Sequence, residues 1–136
     1  MIKTKSNLLI FDKHDKIGNI FPKECIVTIP EFVPVTNFNS SGPDNFEPIG
    51  KVISHNRDGS KIEIETEIIC KDEVILEKLI IDGKVYSGGY YKINKAHREE
   101  DGVLILDNIE LKSVGLYFGD VYGNNDLRME VEEWLN

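Results

Sequence analysis

The sequence predicts an α+β domain built mostly from antiparallel β-strands. The clearest observation is Lys61-Ile62-Glu63-Ile64-Glu65-Thr66-Glu67-Ile68, which alternates with period two. That spacing turns Ile62, Ile64 and Ile68 to a core and Lys61, Glu63, Glu65 and Glu67 to water. Further short runs rich in β-branched residues are set apart by Gly, Pro, Asn and Asp, which punctuate strands. A single change of period, over residues 71–80, supplies a short helix. Six to eight strands around it make one domain, residues 1–136, with no repeat, low-complexity tract or linker.

Taken in order, residues 7–11 form a first strand. Asp12-Lys13-His14-Asp15 opens a polar turn. Its histidine and carboxylates suggest a metal ion, but structural zinc sites draw on four ligands, usually sulfur or nitrogen. A solvated turn is the reading kept, with no metal and no cofactor. Residues 25–29 are a second strand, and Pro30 and Pro34 bracket an extended piece expected at a sheet edge. Residues 35–47 form a long loop, 48–53 a strand, and Asn56-Arg57-Asp58-Gly59 a hairpin turn.

In residues 71–80, Val74, Ile75, Lys78 and Leu79 fall at helical spacing, with Leu76 and Ile80 widening the apolar stripe. Asp72 and Glu73 suit the positive end of the helix dipole, and Gly83 stops the helix. Residues 85–93 form a strand, 94–102 a hairpin loop and 103–106 another strand. Ile109, Leu111, Val114, Leu116 and Phe118 then form a long strand with an interruption at Lys112-Ser113. Residues 127–135 are expected to be an acidic C-terminal helix docked by Met129, Trp134 and Leu135.

Composition narrows the function. Net charge is −8 and no Lys/Arg cluster occurs, so a general nucleic-acid surface is excluded. No apolar run approaches the ~20 residues of a membrane helix. The patch at residues 8–11 is too brief for a secretory leader, so a cytoplasmic protein is expected. Cys25 and Cys70 both lie in apolar, strand-like segments and read as buried small hydrophobes rather than a disulfide or metal pair.

The stretch richest in chemistry is Val85-Tyr86-Ser87-Gly88-Gly89-Tyr90-Tyr91. Glycine weakens a strand, so Gly88 and Gly89 ask for a reason. One is a bulge or a close backbone approach, with Ser87 incidental. The other is an oxyanion hole, with the Gly88 and Gly89 N–H groups around a carbonyl attacked by Ser87.

Three segments in order resemble the phage prohead (head-maturation) serine proteases, relatives of the herpesvirus assemblins. Val33-Pro34-Val35-Thr36 through Pro48-Ile49-Gly50-Lys51-Val52 resembles the family's "PV-x-x-x-H … IGKV" region. Val85-Tyr86-Ser87-Gly88-Gly89-Tyr90 resembles its "LSIGF" nucleophile strand. Asn108-Ile109-Glu110-Leu111-Lys112-Ser113-Val114-Gly115-Leu116 resembles its "L-x-EVSLV" strand. The likeness spans residues 20–120 and implies an assemblin-like β-barrel with one or two short helices. It implies Ser87 as nucleophile, but the family's histidine position falls at Asn39 and its glutamate position at Ser113. An asparagine supplies no base to a serine hydroxyl. The remaining base candidates are His55 and His97; His14 sits in a polar turn.

Three functions follow as expectations. The first is a phage- or prophage-derived capsid assembly protein, non-catalytic, in the host cytoplasm or the virion. It would bind capsid or scaffold protein, with a homodimer implied by the resemblance. The second is an active serine endopeptidase pairing Ser87 with His55 or His97. The third is an unrelated small β-rich binding or virion domain in which Ser87 is only part of a bulge.

Overall fold

The computed structural model describes residues 1–14, 18–37, 48–69, 71–118 and 125–134. Among these residues, nine strands join in one mixed sheet that is not closed. They are β1 (Ile2–Ile10), β2 (Asn19–Ile20), β3 (Ile26–Thr28), β4 (Pro34–Asn37), β5 (Pro48–Arg57), β6 (Lys61–Ile68), β7 (Tyr86–Arg98), β8 (Leu104–Tyr117) and β9 (Glu130–Trp134). The β4–β5, β5–β6, β6–β1, β1–β9 and β7–β8 ladders are antiparallel. Strand β8 is the hub: β7 lies along one side, and β2, β3 and β4 pair in parallel along the other. The mainly antiparallel expectation therefore holds only in part, and the described residues do not show the barrel that the resemblance implies.

The β1–β6 ladder follows from alternation. Ile2, Thr4, Ser6 and Leu8 face inward on β1, as do Ile62, Ile64, Thr66 and Ile68 on β6. Thr4 lies opposite Thr66, and their fully buried hydroxyls hydrogen-bond to each other. That pairing satisfies two polar groups that would otherwise be costly inside a core. On the outer face, Lys3 and Lys5 lie 3.5 and 3.6 Å from Glu65 and Glu63. The glutamate row of β6 is thus a half-buried cross-strand charge pattern, each pair contributing about 0–1 kcal/mol. The β5–β6 turn is held by Asp58, whose carboxylate accepts from the Ser60 N–H, the Ser60 hydroxyl and the Lys61 N–H.

The helical stretch is present but short. α1 (Glu73–Leu76) runs directly into one π-helical turn, Glu77–Asp82. Asp72 caps it by accepting from the Val74 and Ile75 N–H groups, and Gly83 ends it at φ 60°. Ile75 and Leu79, four residues apart, are its buried contacts with the core.

The interruption read at Lys112-Ser113 is a β-bulge. Tyr90 pairs with Ser113 and Tyr91 with Leu111, so Lys112 is the extra residue. This shift is why Ile109 and Leu111, then Val114 and Leu116, share one buried face despite the break in odd–even order.

Several expectations are corrected. Residues 130–134 form strand β9, not a helix, because they find the open edge of β1. There Met129 and Val131 turn inward, while Glu133 and Glu130 lie opposite Lys3 and Lys5. Edge pairing with β1 and the burial of Met129 outweigh helix propensity here. Residues 35–37, expected in a loop, belong to strand β4, which is flanked by β5 and β8; Pro34 is tolerated as its first residue. The 94–102 loop shrinks to a turn at 99–102, since β7 continues to Arg98. Cys25 is buried, and burial pushes its thiol up to about 11; Cys70 lies outside the described residues.

Candidate functional site

Ser87 stands near the start of β7, opposite Leu116 of β8. Its side chain is fully buried. The hydroxyl donates toward the Asn7 carbonyl oxygen at 2.9 Å and the Leu127 carbonyl oxygen at 3.3 Å. One proton is therefore shared between two main-chain acceptors. This hydroxyl ties β7 to β1 and to the short 3-10 turn Asn125–Leu127. The same junction is fastened from the other side: the Asn7 side-chain amide donates to the Asp126 carbonyl at 2.9 Å. The Met129 N–H donates to the Val85 carbonyl at 2.8 Å, and Tyr86 bridges to Arg128.

Gly88 and Gly89 pair with Gly115 and Val114. The reason for Gly89 is steric. A Cβ there would lie 2.3 Å from the Tyr91 ring, two residues along on the same face. That ring packs against Phe21 with centroids 5.5 Å apart and planes tilted by 59°. Gly89 is thus a seat for Tyr91, the close approach anticipated from the sequence. Nothing about it requires an oxyanion.

Among the described residues, the other predicted catalytic positions, Ser113, His55 and His97, do not gather around Ser87. Ser113 precedes Leu116 by three residues in regular strand, so it faces the opposite side of the sheet from Ser87. Asn39 lies outside the described residues. His55 is exposed on β5, three places from β7 in strand order, and borders a groove with Ile29, Pro30 and Ser54. His97 is ten residues beyond Ser87 on β7, roughly 30 Å of extended chain. Its ring lies 2.6 Å from Asp107 and 3.3 Å from Glu99. The Asp107 hydrogen bond, with a smaller contribution from Glu99, raises its pKa above the ordinary imidazole value. The hydroxyl is buried, and both of its partners are carbonyl oxygens. Neither can accept a proton for nucleophilic attack, so the triad logic has no base at this position.

What the glycines do border is a cavity of about 160 Å³. It lies beside the Ser87–Asn7 contact, between β1, β7 and the residues around Asn19 and Phe21. Leu9, Gly89, Tyr91, Ile93, Leu106 and Leu127 contribute to its walls. His14 and Lys13 also border it, and Lys13 pairs with Asp126 at 3.4 Å. Sequence reasoning missed this cavity, since its walls come from segments far apart in the chain. The signal that pointed to it was the Gly88-Gly89 pair. Among the described residues no group of three His, Cys, Asp or Glu side chains is placed to hold a metal ion. No helix among the described residues is long and apolar enough to cross a membrane.

Comparison with protein-family models, with curated proteins and with solved structures returns no match. The site must be read from its own chemistry.

Proposed function

We propose that this chain is a non-catalytic binding domain. The observation that carries the reading is the full burial of Ser87, with its hydroxyl engaged by the Asn7 and Leu127 carbonyls. A nucleophile needs an exposed face for its substrate and a neighbouring base; this serine instead acts as a cross-strand tie. The cavity between β1 and β7 supplies a concave, mainly apolar recess of the kind binding sites use. The resemblance to prohead proteases, carried by residue order, makes capsid or scaffold protein the partner to test first, and a homodimer the assembly to look for.

Two measurements test the reading. A fluorophosphonate that labels active serine hydrolases leaves the folded chain at its unmodified mass. In addition, the chain co-purifies with a capsid or scaffold protein encoded beside it, and Ser87→Ala does not abolish that association. Stoichiometric phosphonylation of Ser87, or scaffold cleavage lost in Ser87→Ala, contradicts the proposal and restores the peptidase. Failure to bind capsid or scaffold protein removes the head-assembly role.

A further inference from the structure

The residues around the cavity divide by chemistry according to where they lie in the chain. Strands β1, β7 and β8 and the turn residue Leu127 supply an aliphatic wall. Phe21 and Tyr91 add their tilted ring pair. The nitrogen-bearing side chains at the cavity, Lys13, His14 and Asn19, all come from the two ends of the connection between β1 and β2. Among the described residues no aspartate or glutamate lines it, although the chain carries 24 acidic residues and a net charge of −8. The recess is therefore amphipathic, and the one fully charged side chain on it, Lys13, is positive.

We propose that this cavity binds a small aromatic carboxylic acid, its ring among the apolar residues and its carboxylate at Lys13. Size, ring chemistry and charge each favour this class. The volume of about 160 Å³ suits one ring; an apolar cavity of ~150 Å³ is enough to bind benzene. Phe21 and Tyr91 already pack ring against ring at 5.5 Å, and a third ring extends that arrangement with the offset or edge-on contacts aromatic groups prefer. A carboxylate beside Lys13 meets a cation and no acidic wall residue. Lys13 does lie 3.4 Å from Asp126, but the two side chains are 48% and 63% exposed. An ion pair so exposed is weak, and an ammonium has three N–H donors, so a ligand carboxylate can share or replace Asp126 at little cost. Apolar walls with a few convergent polar groups are the usual make-up of a small-molecule site.

A ligand site here rests on the binding-domain reading; its test involves no capsid or scaffold protein, so the two fail separately. The ¹⁵N-labelled full chain is titrated with 4-methylbenzoate and, separately, with 4-methylbenzamide, which has the same shape and no charge. Both compounds are expected to shift the amides of Gly88, Gly89 and Ile93 in a saturable way. The acid binds at least about threefold more tightly, on the scale of one partly exposed ion pair. Lys13→Met abolishes that preference while the amide compound still binds. Asp126→Asn, which removes the competing carboxylate, increases it. Lys51→Met, at an exposed position on β5 away from the cavity, leaves it unchanged. Equal affinity for the two compounds overturns the acidic ligand class, as does a preference that survives in Lys13→Met. No saturable shift at Gly88, Gly89 and Ile93 with either compound overturns the site itself, and co-purification with capsid or scaffold protein then judges the broader reading alone.

Discussion

The hydroxyl of Ser87 donates to the carbonyl oxygen of Asn7 across 2.9 Å, joining two strands that share no ladder. Without this contact, and the Leu127 carbonyl on the same hydroxyl, the start of β7 would meet β1 only through packing. A serine that looks catalytic in the sequence is in this fold a fastening between borders of an open sheet.

Two buried serines give opposite expectations from the same substitution. Ser6 is 5% exposed, and its hydroxyl has no hydrogen-bond partner among the described residues. Ser6→Ala is therefore neutral or stabilising, by up to about 1 kcal/mol, since it removes an unsatisfied polar group. Urea unfolding of Ser6→Ala beside a Ser87 variant checks the sign; equal losses in both contradict it.

The Thr4–Thr66 contact is a closed pair, so its two members are coupled. Thr4→Val alone leaves the Thr66 hydroxyl buried and unpaired, a loss of about 1–3 kcal/mol. The double variant with Thr66→Val recovers most of that loss. A double-mutant cycle by chemical denaturation reads the coupling directly, and additive single losses refute the pairing.

Gly50 is fixed by backbone, not by a side chain. A Cβ at this position would meet the Glu67 carbonyl oxygen at 2.1 Å, inside the β5–β6 ladder. Gly50→Ala forces the strands apart, at a cost of about 1–3 kcal/mol or more, the usual range for overpacking. Gly59→Ala, where a Cβ meets nothing within 4 Å, is the control and shifts the thermal midpoint far less.

His97 gives a pH dependence whose sign is fixed by its carboxylate neighbours. Its folded pKa lies above the unfolded value, chiefly through the Asp107 hydrogen bond. The stabilisation is therefore fully present below the unfolded pKa, about 6.5. It is lost as pH rises through the higher folded pKa. Proton NMR titration of the imidazole reads the raised value, and Asp107→Asn lowers it. An unchanged titration in that variant contradicts the assignment.

Much of the strand architecture was legible because alternation and bulges leave marks in local order. The glutamate row of β6 and the odd-to-even shift at Lys112 both appear in the sequence and both recur in the fold. β9 was misread because its identity depends on an edge supplied by β1, well over a hundred positions earlier in the chain. The parallel pairings of β2, β3 and β4 with β8 are likewise set by long-range packing. At the site, Gly88-Gly89 marked a place of close approach, but what approaches Gly89 is the Tyr91 ring. The direction of the Ser87 hydroxyl was invisible, since neither acceptor carbonyl is near it in the chain.

The most direct measurement is the stability of Ser87→Ala, followed by urea unfolding together with its fluorophosphonate reactivity. Removing a buried hydroxyl that serves two carbonyls is predicted to lower stability by about 1–3 kcal/mol, with neither the parent nor the variant labelled. A parent that is labelled, and a variant that keeps full stability while losing that label, would show Ser87 to be a nucleophile instead of a tie.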